Sequence, residues 1–238
     1  MSLLSRELFR TSRALLAGCT LTLVVAIHAL VATSAGAAGS IYPAPGTYKL
    51  HKIQHAGSGW VLEGSAWIPR RFSSYVNGSI TLFSFFYSTC NLAGGCPVAW
   101  SAFESVHDIV QKDPELRGKV RLVFLSLDPK VDTPERLEVF AAPRRQTQDI
   151  APWNFLTTWN EAYLKTILDT MGQDASRELD ENGKPTDQIN HMLNVYLIDK
   201  DGWVREIYTT SFLDPEVVVN DIKTLIREES GSNLPQSQ

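Results

Sequence analysis

Residues 79–111 have the sequence SITLFSFFYSTCNLAGGCPVAWSAFESVHDIVQ, in which two different periodic patterns meet. Residues 79–87 are almost continuously apolar and rich in β-branched and aromatic types, which is typical of a strand buried on both faces. From Pro97 onward the apolar residues recur at helical spacing, and a proline is tolerated at the first position of a helix. The sequence therefore predicts a buried strand, a loop that carries Cys90 and Cys96, and a helix.

The alternation of strands and helices continues towards the C-terminus. Residues 120–127 (VRLVFLSL) form a second apolar run of strand length, and Lys-Asp-Gly at 200–202 separates two short apolar runs, as in a β-hairpin. Helical patterns cover residues 133–140, 159–170 and 214–229. Helices that cross over between neighbouring buried strands predict an α/β domain of three layers around a central sheet.

The composition places the chain in the globular class. Hydrophobic residues make up 44% and aromatic residues 10% of the 238 residues, which is enough for a sizeable core and too much for intrinsic disorder. The net charge of −4 argues against binding to nucleic acid, which requires a positively charged surface. We divide the sequence into a leader (1–37), an irregular lead-in (38–60), one domain (61–229) and a polar tail (230–238).

The leader has the features of an export segment. Three arginines precede an apolar run at residues 14–32, and small residues at 35–37 offer a cleavage site, which is the order found in secretory signals. The run is also close to the ~20 residues that span a bilayer, so both a cleaved signal peptide and an uncleaved membrane anchor remain open. Lipidation of Cys19 is a third alternative. Each of them predicts a periplasmic body or one on the outer face of the inner membrane.

The loop between the first buried strand and its helix carries the candidate chemistry. Cys96 lies at the predicted helix N-terminus, where unpaired N–H groups and the helix dipole favour a thiolate. Gly94 and Gly95 give the loop the backbone freedom to bring Cys90 back to Cys96. Outside the cytoplasm such a pair is either a disulfide or a managed redox or metal site. Because α/β folds hold ligands where strands end, we favour a functional pair over a purely structural disulfide.

Four segments, in the same order along the chain, resemble the Sco/SenC family. They are FYSTC with CP at 86–97, SLDPKVDTP at 126–134, WNFLT at 153–157, and His191 followed by VYLID at 195–199. The resemblance covers about residues 78–228. It implies a thioredoxin-like fold with a central mixed sheet flanked by helices. It also implies an extracytoplasmic copper metallochaperone that serves a copper enzyme, such as the CuA site of cytochrome c oxidase.

The resemblance also implies a set of copper ligands. In the family these are the two loop cysteines and a histidine before a late strand, which correspond here to Cys90, Cys96 and His191. Two thiolates and an imidazole suit Cu(I) and also hold Cu(II). Asp128 and Asp132 lie in the second similar segment and are candidates for orienting His191 or a cysteine through hydrogen bonds. Helix capping and turn formation are the alternative roles for both aspartates.

The spacing of the cysteines departs from the family. Three residues separate them in the family, whereas five, residues 91–95, separate them here. Cysteines at this spacing cannot share a helical face, so Cys90 has to reach back through the loop. The chain thus resembles a divergent branch of the family, in which copper affinity, redox potential and choice of partner need separate tests.

Two further functions follow from the same cysteines. The first is a thiol–disulfide oxidoreductase that uses Cys90 and Cys96 as a redox pair to reduce the cysteines of a copper-site partner. The second, a peroxiredoxin-like peroxidase, is disfavoured because no Pro-x-x-x-Thr-x-x-Cys pattern leads into Cys90. The expected partners are a recipient such as a cytochrome oxidase subunit, a thiol–disulfide reductant, and the membrane if the leader is not cleaved. Nucleic acid is not expected as a partner.

Overall fold

A mixed sheet of eight strands lies at the centre of the computed structural model, which describes residues 41–65, 67–90, 95–144 and 151–231. The predicted leader and nearly all of the polar tail lie outside the described residues. Within these ranges, no helix has both the length and the apolar character that crossing a membrane requires. The strands of this sheet are β1 (Gln54–His55), β2 (Trp60–Glu63), β3 (Pro69–Arg71), β4 (Ile80–Phe86), β5 (Val120–Ser126), β6 (Trp153–Thr157), β9 (Asn194–Ile198) and β10 (Trp203–Thr209).

A separate two-stranded sheet consists of β7 (Ala175–Leu179) and β8 (Pro185–His191). We call this pair the β7–β8 hairpin. The helices are α1 (Ser73–Val76), α2 (Cys96–Lys112), α3 (Pro134–Ala141), α4 (Glu161–Met171) and α5 (Pro215–Glu229), and a 3₁₀ turn follows α3 at Ala142–Arg144. Side chains that precede three of these helices cap their first turns: Thr133 for α3, Asn160 for α4 and Asp214 for α5.

The order of the strands brings three chain segments to one edge of the large sheet. The order is β1-β10-β9-β4-β5-β6-β2-β3, with β4, β5 and β6 parallel and β9 antiparallel to β4. Phe86 at the end of β4 lies beside Ser126 at the end of β5, and Ser84 lies beside Val195 near the start of β9. The segments that follow β4 and β5 and the segment that precedes β9 therefore meet at this edge.

Helices cover both faces of the sheet, so the domain has three layers. On one face Phe103 of α2 stacks on Phe124 of β5, with ring centroids 4.3 Å apart, and Phe140 of α3 stacks on Phe86 at 5.8 Å. On the other face the Tyr196 hydroxyl donates a hydrogen bond to the backbone carbonyl of Met171, at the end of α4, at 3.4 Å. The structure confirms the predicted thioredoxin-like α/β architecture with its central mixed sheet.

The buried strands and helices lie where the sequence pattern predicts them, whereas some of the more exposed elements are not predicted. Every residue of β4 is buried, as the continuous apolar run predicts. The lead-in, which the sequence predicts to be irregular, contains the two-residue strand β1, at Gln54–His55. The β2–β3 pair and the β7–β8 hairpin are additions that the sequence pattern does not predict.

Candidate functional site

The candidate site lies at the edge of the sheet where β4 and β5 end and β9 begins. The cysteine loop follows β4, the segment that contains Asp128 and Asp132 follows β5, and His191 is the last residue of β8, just before β9. The backbone N–H of Leu127 donates to the carbonyl of Phe86 at 2.7 Å, which holds the first two segments side by side. The sheet topology thus places the segments that carry these five residues at the same edge of the sheet.

The two cysteines are reduced thiols that contact each other. Cys96 is buried and begins α2, whereas Cys90 is half-buried and anchored by a hydrogen bond from its N–H to the carbonyl of Tyr87 at 3.1 Å. Their side chains share a hydrogen bond, and that bond together with burial raises the pKa of the Cys96 thiol well above its ordinary value. The direction is opposite to the expectation from the helix N-terminus, because the neighbouring sulfur and burial outweigh the backbone N–H groups.

Tyr87 connects the cysteine pair to the β7–β8 hairpin. Its buried hydroxyl donates a hydrogen bond to the side-chain oxygen of Gln188 at 3.4 Å and accepts one from the N–H of Ile189, also at 3.4 Å. Burial raises the pKa of Tyr87 to about 12, and a hydrogen bond with Cys90 acts in the same direction. Tyr87 lies in FYSTC, three residues before Cys90, but the sequence pattern alone does not indicate its part in the site.

His191 contacts the ring of Tyr87. The two rings meet edge to face with centroids 6.1 Å apart, and Nδ1 of His191 lies 3.2 Å from the backbone carbonyl of Met192. In the described part of the chain, no three His, Cys, Asp or Glu side chains are grouped closely enough to hold a metal ion. The structure therefore pairs the cysteines and brings His191 to the same edge, while the three-ligand site stays a prediction.

Asp132 is buried and holds the start of the cysteine loop. Its carboxylate accepts hydrogen bonds from the Ser88 N–H at 2.9 Å, from the Ser88 hydroxyl and from the Ser126 hydroxyl at 2.6 Å. Nε of Arg136, in the first turn of α3, lies 3.8 Å from Oδ1 of Asp132. Because Ser88 directly follows Tyr87 and lies two residues before Cys90, this network fixes how the loop leaves β4.

Asp128 is buried as well, and it acts on the β7–β8 hairpin. Its Oδ1 atom forms an ion pair with Nη2 of Arg177, on β7, at 2.6 Å. Its backbone N–H donates to the Ser126 hydroxyl at 2.9 Å, so the end of β5 fixes the position of the carboxylate. The two aspartates thus hold different parts of the site, Asp132 the cysteine loop and Asp128 the hairpin that carries His191.

Comparisons with known proteins identify a family and structures of similar fold. The SCO1/SenC family model matches residues 70–227. The SCO1 protein homolog of Bacillus subtilis is 25% identical over 150 residues, which are 63% of this chain and 72% of that protein.

Two solved structures have a similar fold. The apo Sco1 protein from Thermus thermophilus has a TM-score of 0.58 at 19% identity and covers 79% of this chain and 99% of its own. Bradyrhizobium japonicum ScoI with copper bound has a TM-score of 0.55 at 22% identity and covers 72% of this chain and 98% of its own.

Proposed function

The chain belongs to the SCO1/SenC family, and from this premise we propose that it is an extracytoplasmic copper metallochaperone. It takes copper with Cys90, Cys96 and His191 and delivers it to a copper enzyme, such as the CuA site of cytochrome c oxidase. The observation that carries the proposal is the pair of hydrogen-bonded thiols at the edge of the sheet, with His191 at the same edge. The copper-bound Bradyrhizobium japonicum ScoI, which has the same fold, supports it.

The donor types suit copper as cargo. Thiolate sulfur suits soft metal ions such as Cu(I), and an added imidazole extends the site to Cu(II). Both cysteines are reduced in the structure, so binding of Cu(I) replaces the thiol protons with metal–sulfur bonds and releases those protons to solvent. Cys90 and Cys96 therefore account for the affinity for Cu(I).

His191 supplies the third donor. The contact between its Nδ1 and the Met192 carbonyl favours the tautomer that is protonated at Nδ1. That tautomer leaves the lone pair on Nε2, as a neutral imidazole ligand requires. We assign to His191 the retention of Cu(II), and therefore the ability of the site to hold both oxidation states.

The remaining parts of the proposal concern location and partners. The charged and apolar residues of the leader support export to the periplasm or to the outer face of the inner membrane, with a membrane contact if the leader is kept. In an oxidising compartment the apo protein forms a disulfide between Cys90 and Cys96, and a thiol–disulfide reductant then has to regenerate the dithiol before copper binds.

A second candidate function is a thiol–disulfide oxidoreductase. Two reduced, adjacent thiols, one of them at a helix N-terminus, are also the arrangement that dithiol exchange uses. One thiolate attacks the disulfide of a partner, and the other resolves the mixed disulfide. The partner leaves as a dithiol, and Cys90 and Cys96 become oxidised to a disulfide. This function needs the cysteines but does not need His191.

A copper titration of the reduced protein tests the proposal. We expect one copper per chain for the wild type and loss of tight binding in Cys90→Ser and in Cys96→Ser. The matched control is Cys19→Ser, which removes the cysteine of the leader and should leave the titration unchanged. Unchanged binding in the Cys90 and Cys96 variants would contradict the proposal.

A further inference from the structure

The β7–β8 hairpin has few backbone connections to the rest of the domain. Its strands pair with each other and form a sheet of their own, separate from the large sheet. Most of its residues are exposed or half-buried, and Ile189 is its one residue in the buried core, with 4% of its surface exposed. The position of the hairpin, and of His191 at its end, therefore depends on side-chain contacts.

A cavity with both apolar and charged lining lies between the hairpin and α4. It has a volume of about 580 Å³ and is lined by residues of the hairpin, of α4 and of the segment after β5, including Lys130, Lys165, Asp169 and Arg177. Because this space is open, the hairpin is not closely packed against α4. A specific charged contact beside the cavity then has a larger influence on the position of the hairpin than it would in a close-packed core.

The ion pair between Arg177 and Asp128 is that contact. The Asp128 side chain is 2% exposed and the Arg177 side chain 24%, and their nearest nitrogen and oxygen atoms are 2.6 Å apart. Arg177 lies directly opposite Ile189 in the hairpin, and Ala175 lies opposite His191. Arg177 is therefore two residues along β7 from Ala175, the residue opposite His191, and lies on the same face of the hairpin as Ala175.

We propose that Arg177 is a positioning residue, whose ion pair with Asp128 fixes the β7–β8 hairpin so that His191 faces the cysteine pair. The proposal rests on the proposed function, because it treats His191 as a copper ligand. Neutral contacts also hold the hairpin, among them the hydrogen bond between Tyr87 and Ile189 and, just after the hairpin, one from the Gln173 side chain to the Met192 carbonyl at 3.1 Å. They keep the hairpin folded when the charged contact is removed, so the variants remain testable.

The variants compare the buried ion pair with an exposed one at the same cavity. Arg177→Gln removes the charged contact, Arg177→Lys keeps the charge, and the double variant Asp128→Asn/Arg177→Gln also removes the buried carboxylate. The matched control is Lys165→Gln, which breaks an ion pair of the same 2.6 Å length to Asp169, where both side chains are exposed. Each variant is made with His191 present and with His191→Ala.

Hydrogen exchange of the copper-free protein is the first measurement. We expect the amides of the hairpin to exchange faster in Arg177→Gln and in the double variant by about tenfold or more, a change equivalent to ~1.4 kcal/mol. Lys165→Gln should match the wild type, and Arg177→Lys should be closest to it among the Arg177 variants. Unchanged exchange of the hairpin in Arg177→Gln would overturn the proposal, whatever the result with copper.

Copper binding is the second measurement. Arg177→Gln should lower the affinity for Cu(II), and weaken the imidazole nitrogen signal in its electron paramagnetic resonance spectrum, while leaving Cu(I) binding unchanged. In the His191→Ala background the same substitution should have no further effect, because Arg177 acts through His191. An additional loss of Cu(II) affinity in that background would overturn the proposal. Failure of the wild type to bind copper would instead contradict the proposed function, and the hydrogen-exchange result would still decide how Arg177 acts.

Discussion

At the scale of single residues, the contact between the thiols acts on the acidity of Cys96. The hydrogen bond with Cys90 and burial together raise the pKa of Cys96, which favours the protonated form of that thiol. The hydroxyl of Tyr87 adds a link from this pair to the backbone of Ile189. Binding of a metal at such a thiol has to displace its proton.

The affinity for Cu(I) should therefore depend on pH. Copper displaces thiol protons, so below the raised pKa the apparent affinity should increase by about tenfold per pH unit for each proton released. A competition titration with a Cu(I) chelator between pH 6 and pH 8, corrected for the titration of the chelator itself, measures the slope. A flat profile would show that the thiols are already ionised in the empty protein.

The sequence predicts part of the site at this scale. The positions of Cys90, Cys96 and His191 at one edge follow from the order of strands and loops, which local patterns and the family resemblance reveal. The raised pKa of Cys96 and the role of Tyr87 do not follow from it, because both depend on burial and on contacts between distant segments. A helix N-terminus can be identified from sequence, but the sulfur atom that lies beside it in the fold cannot.

At the scale of elements, the segment after β5 stabilises both halves of the site. Asp132 accepts three hydrogen bonds from Ser88 and Ser126, while Asp128, four residues earlier, pairs with Arg177. The cysteine loop and the β7–β8 hairpin are thus both fixed to one short connection. Both aspartates are buried, at 0% exposure for Asp132 and 1% for Asp128, and their carboxylates make contacts beyond helix capping and turn formation.

Asp132→Ala should destabilise the protein measurably. The substitution leaves the N–H and hydroxyl of Ser88 and the hydroxyl of Ser126 without their acceptor, and buried donors of this kind cost about 1–3 kcal/mol each when unsatisfied. Allowing for partial rearrangement, we expect the free energy of unfolding in urea to fall by about 3 kcal/mol. The exposed carboxylate Asp169 provides the comparison, since Asp169→Ala should change this free energy by less than about 1 kcal/mol. Equal effects of the two variants would contradict the assigned network.

The elements differ in how well their sequence predicts them. β4 and α2 are long, periodic and buried on a recognisable face, so their hydrophobic pattern suffices. The β7–β8 hairpin has mostly polar residues and no hydrophobic periodicity. Most of its residues are exposed or half-buried, and side-chain contacts hold it in place. An element that carries a proposed copper ligand is therefore the one that hydrophobic periodicity does not reveal.

At the scale of the whole molecule, a buried arginine joins the lead-in, the sheet and the last helix. Arg205, on β10, donates to the carbonyl of Leu50 and forms ion pairs with Asp199 at 2.9 Å and with Glu228 of α5 at 2.8 Å. Two residues before Leu50, the hydroxyl of Tyr48 donates a hydrogen bond to the carboxylate of Asp221, on α5, at 2.5 Å. The irregular lead-in that the sequence predicts is in fact held along α5, which its Pro- and Gly-rich composition does not indicate.

Arg205→Met should lower the stability of the whole domain. Removing the guanidinium leaves the buried Asp199 carboxylate without its partner, and breaking a buried ion pair in this way costs about 3–5 kcal/mol. Equilibrium unfolding in urea should show this loss, whereas Arg117→Met, at an exposed position, should be within about 0.5 kcal/mol of the wild type. A loss in Arg205→Met no larger than in the control would show that the arginine does not join the three parts.

The central claim is that the site delivers copper, and His191 distinguishes delivery from dithiol exchange. The most direct measurement compares His191→Ala, Cys90→Ser and the exposed control His51→Ala in cells that depend on this protein for a copper oxidase. Oxidase copper content is read in cells, and disulfide exchange is measured on the purified variants.

We predict that His191→Ala exchanges disulfides within about an order of magnitude of the wild-type rate, because exchange requires only the two cysteines. We also predict that it fails to load the oxidase, as Cys90→Ser does, whereas His51→Ala loads it normally. Normal oxidase copper in His191→Ala cells, together with its loss in Cys90→Ser cells, would contradict copper delivery and leave the oxidoreductase function in its place.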